Sequence, residues 1–357
     1  MKKIFKVIKC SDSNLIMSMQ NGKSIDILKI SQRGNESLQK EKDTILKLKK
    51  KSKIYNLIIP DIHLNKKIKN PYLKNRFYYF QKYHPGSTLS GLIQKNKIKN
   101  SKAKIISESI VNKLFLITNE DLKNSVNEKP SEVFRKLLMT EFQNIIKRPH
   151  LKFLSSNLSL KIGSKFYNKL ENSLEKILSN KNFINLDKEN KFLVDTGHFN
   201  FHGENILISD IKSPDNFKLI DPDTRWKILD PMFSLARYFY TYWHDTAEKK
   251  KYFVKSNIFN FEKKYKNFYF NTEILWPTTV NEVYKKMFDG NIAKAKLNKA
   301  NKLRFNLSYL LCLMRGINAN YEEKITFLKN KNELLQNNGI FFSLLAVMYA
   351  HQMVIEK

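Results

Sequence analysis

The stretch His198-Phe199-Asn200-Phe201-His202-Gly203-Glu204-Asn205-Ile206-Leu207, with Leu219-Ile220-Asp221-Pro222-Asp223 close behind it, decides how the rest of the chain is read. Asn205 opens a short apolar run at 206–209 and Asp221 closes another at 217–220. The residues between, Lys212-Ser213-Pro214-Asp215-Asn216, have turn chemistry. A tight hairpin there brings an amide oxygen and a carboxylate together. Two protein oxygens with room for water and phosphate oxygens are the usual way to hold a magnesium ion that bridges ATP phosphates. The loop ahead of Asn205 places polar side chains where an acceptor hydroxyl would be oriented.

Upstream, the first 83 residues read as a small strand-rich unit. Runs at 4–9, 15–20 and 24–30 are β-like, and Asn21-Gly22 between the last two is a hairpin signal. Leu38, Glu41, Ile45 and Leu48 then recur at helical spacing, which puts Glu41 on the apolar stripe and not on the solvent face. Further β-like segments fall at 63–68 and 76–83 before His84-Pro85-Gly86 breaks the pattern. Long helices are expected next. Their stripes are Ile105, Ile106, Ile110, Leu114 and Ile117; then Phe134, Leu137, Leu138, Phe142 and Ile146; then Ile162, Phe166, Leu170, Leu174 and Ile177. Short β segments are expected between Lys191 and Asp221, and everything after Leu229 is expected to be helical. The cluster Tyr238, Phe239, Tyr240, Tyr242 and Trp243 reads as core with one exposed edge.

Together these segments resemble the aminoglycoside phosphotransferase and choline kinase branch of the protein-kinase-like superfamily. That family's catalytic loop runs His-Gly-Asp-Leu-His-x-x-Asn-Ile-Leu, with its metal Asp in Leu-Ile-Asp. Leu229-Asp230-Pro231-Met232-Phe233-Ser234-Leu235-Ala236 is similar to the family's Gly-Asp-Pro-x-x-Asp-Leu-Ala. The resemblance implies that His198 is the loop histidine and that Asn205 and Asp221 bind the metal. It implies that Lys29, in Ile27-Leu28-Lys29-Ile30, contacts ATP phosphates and pairs with Glu41. The Phe77–Tyr83 segment with Pro85-Gly86-Ser87-Thr88-Leu89 resembles the hinge, so Lys82, Tyr83 and His84 are expected beside the adenine. The implied fold is α+β and two-lobed: a small antiparallel β lobe with one helix at 1–83, and a larger, mostly helical lobe at 84–357 carrying the catalytic loop and metal site. The implied cofactors are ATP and Mg2+, and the implied activity is phosphorylation of a small-molecule hydroxyl, such as a sugar or a surface-polysaccharide precursor.

Two positions depart from the family. Ser234 stands where the family has Asp, a change expected to touch only loop packing. The family's catalytic base is Asp where this chain has Asn200, and an amide accepts a hydrogen bond but takes no proton. Asp195 and Glu204 flank the loop away from that spacing. Two readings follow: a slow kinase in which Asn200 orients the acceptor, or a pseudokinase that binds nucleotide in a regulatory or scaffolding role.

Composition narrows the remaining classes. With 42% hydrophobic and 12% aromatic residues the chain can build a large core, which excludes wholesale disorder. Cys10 and Cys312 are the only cysteines, which excludes a disulfide scaffold and suits a reducing cytoplasm. Net charge is +31, yet only 8 of the 64 basic residues are arginine and the lysines are scattered, so no specific nucleic-acid partner is expected. Lys6 and Lys9 interrupt the apolar start, which is not read as a signal peptide. The most apolar stretch, 339–354, carries Ser343, His351 and Gln352; it is expected to be a buried terminal helix, short for a membrane span.

Overall fold

The computed structural model describes residues 4–10, 14–21, 24–32, 34, 36–63, 73, 75–155, 159–188, 191–248, 253–256, 270–275, 282–322, 326–328 and 331–356. The chain forms two compact units, one of Met1–Ser125 with Val194–Ser234, the other of Val126–Leu193 with Leu235–Lys357.

In the first unit, strands β1 (Ile4–Cys10), β2 (Asn14–Asn21) and β3 (Ser24–Ser31) precede helices α1 (Glu36–Lys51) and α2 (Lys53–Ile58). Strands β4 (Ile62–His63) and β5 (Tyr78–Lys82) complete an antiparallel sheet in the order β1-β2-β3-β5-β4. The β-like run expected at 63–68 lies, beyond His63, outside the described residues. Alternation along β3 sends Leu28 and Ile30 into a cluster with Met19, Leu73 and Phe80. The same alternation turns Lys29 to the opposite face, paired in register with Tyr79. On α1, Leu38, Ile45 and Leu48 are buried along one stripe. Glu36 in its first turn and Lys49, Lys50 and Lys51 in its last complement the helix dipole. Ser52 caps α2, its Oγ accepting from the Ile54 N–H at 3.1 Å.

Strand β6 (Ser87–Thr88) leads into α3 (Leu89–Gln94) and the 23-residue α4 (Asn100–Leu122). Ile106, Ile110, Leu114 and Ile117 of α4 are buried as its periodicity predicts, but Ile105 is 67% exposed. Two adjacent isoleucines lie 100° apart on a helix, and only Ile106 falls on the inward stripe.

The second unit begins with α5 (Pro130–Ile146), whose proline occupies the first turn, where no N–H is missed. Strands β7 (Ser159–Ile162) and β8 (Lys165–Asn168) follow, then α6 (Leu170–Leu178) and α7 (Lys181–Ile184). This corrects the third helical stripe: Ile162 and Phe166 lie on a hairpin, and only Leu170, Leu174 and Ile177 are helical. Gly163, at φ 59°, supplies the left-handed turn residue that brings β8 back onto β7.

Back in the first unit, β9 (Ile206–Ile208) pairs with β10 (Lys218–Leu219), Leu219 opposite Ile206, and β6 adds to the other edge of β9. Gly86 is required at that junction, since a Cβ there would stand 2.9 Å from the Ile208 carbonyl oxygen. Helix α8 (Met232–Glu248) carries the chain into the second unit.

The rest is not all helical. Strands β11 (Phe253–Ser256) and β12 (Phe270–Leu275) appear between α8 and the helices α9 (Glu282–Met287), α10 (Asn291–Lys294) and α11 (Lys299–Ala319). Strands β13 (Thr326–Leu328) and β14 (Lys331–Gln336) then precede α12 (Asn338–Ile355), and the sheet runs β13-β14-β11-β12-β7-β8. These strands are short and take their state from distant partners; β12 pairs in parallel with β7. Helix α12 has 18 residues and is long and apolar enough to cross a membrane, more than its sequence suggested. Its Ile340, Phe341, Phe342 and Leu344 are fully buried within the second unit.

Candidate nucleotide and metal site

Every candidate site residue, Lys29, Glu41, Lys82, Tyr83, His84, His198, Asn200, Asn205 and Asp221, lies in the first unit. Lys29, only 4% exposed, donates from Nζ to Glu41 Oε1 at 2.6 Å and also to Asp221 Oδ1. The Tyr79 hydroxyl donates to the same Glu41 oxygen at 2.6 Å. Strand β3, helix α1, strand β5 and the end of the β9–β10 hairpin thus converge on one ammonium group. Burial works against its charge, but Asp221 and Glu41 outweigh burial and hold Lys29 protonated well above the usual lysine range. Burial likewise opposes ionisation of Asp221; Lys29 overcomes it and keeps the carboxylate below its usual range. The Asp221 side chain retains 38% of its surface, so this carboxylate remains open to solutes.

Asp221 has a left-handed backbone, φ 53°, as does Phe199 at φ 51°. Such conformations cost roughly 1 kcal/mol or more in residues other than glycine and cluster where function requires them. At Asp221 the conformation accompanies a carbonyl that collects two amides. Asn200 Nδ2 donates to it at 2.7 Å and Asn205 Nδ2 at 3.4 Å, and Asn205 Nδ2 also donates to the Asn200 carbonyl at 3.2 Å. Both asparagine nitrogens therefore face inward to the loop. Asn200 Oδ1 is buried with no hydrogen-bond donor among the described residues. Asn205 is 5% exposed, and with its nitrogen committed to carbonyls its oxygen is the ligating atom it offers beside the ionised Asp221. An amide oxygen and a carboxylate of this kind fit a hard divalent cation.

The loop is braced through its backbone. The Asp223 N–H donates to the His198 carbonyl at 2.9 Å, the Asn205 N–H to the His202 carbonyl at 2.9 Å and the Ile220 N–H to the Asn205 carbonyl at 3.1 Å. His198 is fully buried, 5.4 Å from the Phe201 ring centroid, and burial drives its pKa down to about 3 against the pull of Asp221 and Asp223. It is a neutral imidazole at physiological pH.

At the expected hinge, the Lys82 N–H is taken by the Asp61 carbonyl at 2.7 Å and the Tyr83 N–H by the Ile25 carbonyl at 3.4 Å. His84 Nε2 lies 2.7 Å from Ser209 Oγ at the end of β9. Asp195 is committed to Lys47 at 3.3 Å.

Sequence reasoning missed two partnerships. Asp223, 6% exposed, holds Arg225 through Nε at 2.9 Å and Nη2 at 2.7 Å. The Tyr55 hydroxyl donates to Asp121 at 3.0 and 2.8 Å from its two carboxylate oxygens. Both side chains are fully enclosed, and burial raises the Asp121 pKa to about 7. Asp223 sits inside the quoted motif and was open to notice; nothing in the spacing of Tyr55 and Asp121 links them.

No protein-family model and no curated protein sequence matches the chain. Solved structures do. The aminoglycoside phosphotransferase APH(4)-Ia is similar at a TM-score of 0.51 and 12% identity, over 99% of this chain and 93% of that one. A thermostable mutant of that enzyme, in ternary complex with ADP and hygromycin B, is similar at a TM-score of 0.52 and 10% identity, over 99% and 93%. The same mutant background in apo form gives 0.50 and 11%, over 99% and 94%. The chain has the α+β, protein-kinase-like fold of these phosphotransferases.

Proposed function

We propose that this protein is an ATP- and magnesium-dependent phosphotransferase acting on a hydroxyl group of a small molecule. One observation carries the reading: Lys29, Glu41, Asp221, Asn205 and Asn200, drawn from five places in the sequence, form one connected polar centre. Lys29 would contact nucleotide phosphates, with Glu41 and Tyr79 fixing its position. Asn205 Oδ1 and the Asp221 carboxylate would hold magnesium, which supplies positive charge against the phosphates. Nucleotide binding then moves the Lys29 ammonium partly from Asp221 to phosphate. The ternary complex of the structural neighbour with ADP and hygromycin B supports a nucleotide and a small acceptor together.

Asn200 Oδ1 accepts the hydrogen bond of the acceptor hydroxyl and aims its oxygen. The hydroxyl oxygen attacks the terminal phosphorus, the bond to the bridging oxygen breaks and ADP leaves. Asn200 keeps no proton, so the hydroxyl proton departs with the transferred phosphoryl group or to water. Phosphoryl transfer runs through a loose transition state in which positioning and electrostatics dominate, so an amide can serve with reduced efficiency. The second reading, a nucleotide-binding protein without transfer, is favoured by the same residue.

Thermal unfolding with ATP, with magnesium, with both and with neither tests the site. Ligand at 100 times its Kd adds about 2.7 kcal/mol to stability. A shift requiring both supports the metal assignment, and no shift with any nucleotide overturns it. ADP release with a panel of acceptors, repeated for Asn200→Asp, separates the two readings. A large gain marks a weakened kinase, and no turnover in either protein marks a binding role.

A further inference from the structure

The second unit holds a cavity of 440 Å3 that the proposed chemistry does not use. Helix α8 contributes Phe239, Tyr242 and Trp243, α11 contributes Phe305 and Tyr309, and α12 contributes Tyr349. Phe239 and Phe305 are buried, as core residues should be, but Tyr242, Trp243, Tyr309 and Tyr349 are only half-buried. Their rings are already mutually packed, Tyr242 on Trp243 at 4.4 Å and Tyr309 on Tyr349 at 4.9 Å between centroids. The faces left over line the cavity. Burial also pushes the Tyr242 hydroxyl up to about 12, and among the described residues that hydroxyl has no hydrogen-bond partner.

The polar part of the wall is small and unevenly charged. Lys285 of α9 and Lys294 of α10 both line it, and neither has a carboxylate partner among the described residues. Lys294 Nζ lies over the Tyr349 ring at 5.8 Å. The one acid of the wall, Asp289, is occupied, its Oδ1 accepting from the Asn291 N–H at 2.9 Å where α10 begins. Apolar cavities of this size with a few convergent polar groups are the ordinary form of a small-molecule site. Few hydrogen-bonding groups argue against a bare sugar, and two unpaired ammonium groups argue against a cation.

We propose that this cavity binds an aromatic small molecule carrying one oxyanion, its ring among Tyr242, Trp243, Tyr309 and Tyr349 and its anion at Lys285 and Lys294. The site is distinct in sequence and composition from the polar centre of the first unit and requires neither nucleotide nor metal.

Isothermal titration of the full-length protein with 2-naphthoate, phenyl phosphate and benzyltrimethylammonium tests it, each with and without saturating ATP and magnesium. The two anions are expected to bind at submillimolar to millimolar Kd, and the cation about tenfold more weakly or worse. The double variant Lys285→Gln/Lys294→Gln, changed at side chains outside the core, should lose about tenfold in affinity for the anions and little for the cation. Lys29→Met should leave naphthoate binding unchanged, which separates this site from the nucleotide site. The proposal is overturned by equal affinity for anion and cation, by unchanged anion affinity in the double variant, by competition from ATP, or by no heat with any probe at millimolar concentration.

Discussion

Replacing Asp121 by Asn perturbs one proton and almost nothing else. The Tyr55 hydroxyl that now donates to both carboxylate oxygens can still donate to the amide oxygen, and the side chain keeps its volume. The carboxyl is 1% exposed, and burial, the largest influence, lifts its pKa from 3.8 to about 7; the Tyr55 hydrogen bond and Lys51 oppose the rise and Glu120 adds to it. Between those two values the unfolded chain has released the proton and the native protein has not. The native state therefore binds more protons, and the carboxyl's contribution to stability declines as pH rises through the interval, levelling off above about 7. At ~1.4 kcal/mol per pH unit the decline amounts to ~4 kcal/mol. Asparagine has no such dependence. Urea unfolding of both proteins at closely spaced pH values from about 4 to 8 measures the difference directly, because all other titrations cancel. The stability of Asp121→Asn relative to the natural protein should climb by ~4 kcal/mol across that range. Tyr55→Phe removes a hydrogen bond that lowers the pKa, so in that variant the decline should extend to higher pH. Parallel pH curves for the natural protein and Asp121→Asn would refute the enclosed carboxyl whose proton the fold retains.

Lys29→Met leaves Glu41 and Asp221 without their shared cation; it should cost about 3 kcal/mol in urea unfolding and abolish any nucleotide-dependent thermal shift. Asn205→Ala should remove the thermal shift that ATP and magnesium produce together, as read by differential scanning calorimetry. Gly86→Ala forces a Cβ to within 2.9 Å of the Ile208 carbonyl and should destabilise by about 1–3 kcal/mol in denaturant unfolding, whereas the neighbouring exposed Lys82→Ala should change stability by under about 0.5 kcal/mol.

The polar centre was legible because its members stand in local patterns. Asn205 and Asp221 terminate two runs joined by a turn, and Glu41 betrays itself as a charge on an apolar stripe that only a buried cation could satisfy. What local pattern cannot carry is pairing at a distance. Ile162 and Phe166 sit at helical spacing from Leu170, and the spacing alone cannot see that Gly163 turns the chain between them. Strands β11 and β14 contain Lys255, Lys331, Asn332 and Glu333, which no periodicity marks as strand; their sheet exists because each meets the other. Tyr55 and Asp121 are 66 positions apart and ordinary in their own neighbourhoods. The aromatic run at 238–243 was readable as core with an exposed edge, but that the edge borders a cavity depends on Tyr309 and Tyr349 arriving from two later helices.

The two compact units are interleaved along the chain, and this has a consequence for biosynthesis. The ribosome delivers 1–125, then the opening part of the second unit, then 194–234, and only then the remainder. The first unit lacks its hairpin and Asp221 until residue 221 is out, and α5 to α7 must wait still longer for α11 and α12. Strand β7 emerges more than a hundred residues before β12, its parallel partner. Neither unit can be finished before the other has begun: the first can close only after the opening part of the second has been made, and that part exposes apolar surface until its later partners arrive. A chain stopped at residue 193 would hold fragments of both units and complete neither.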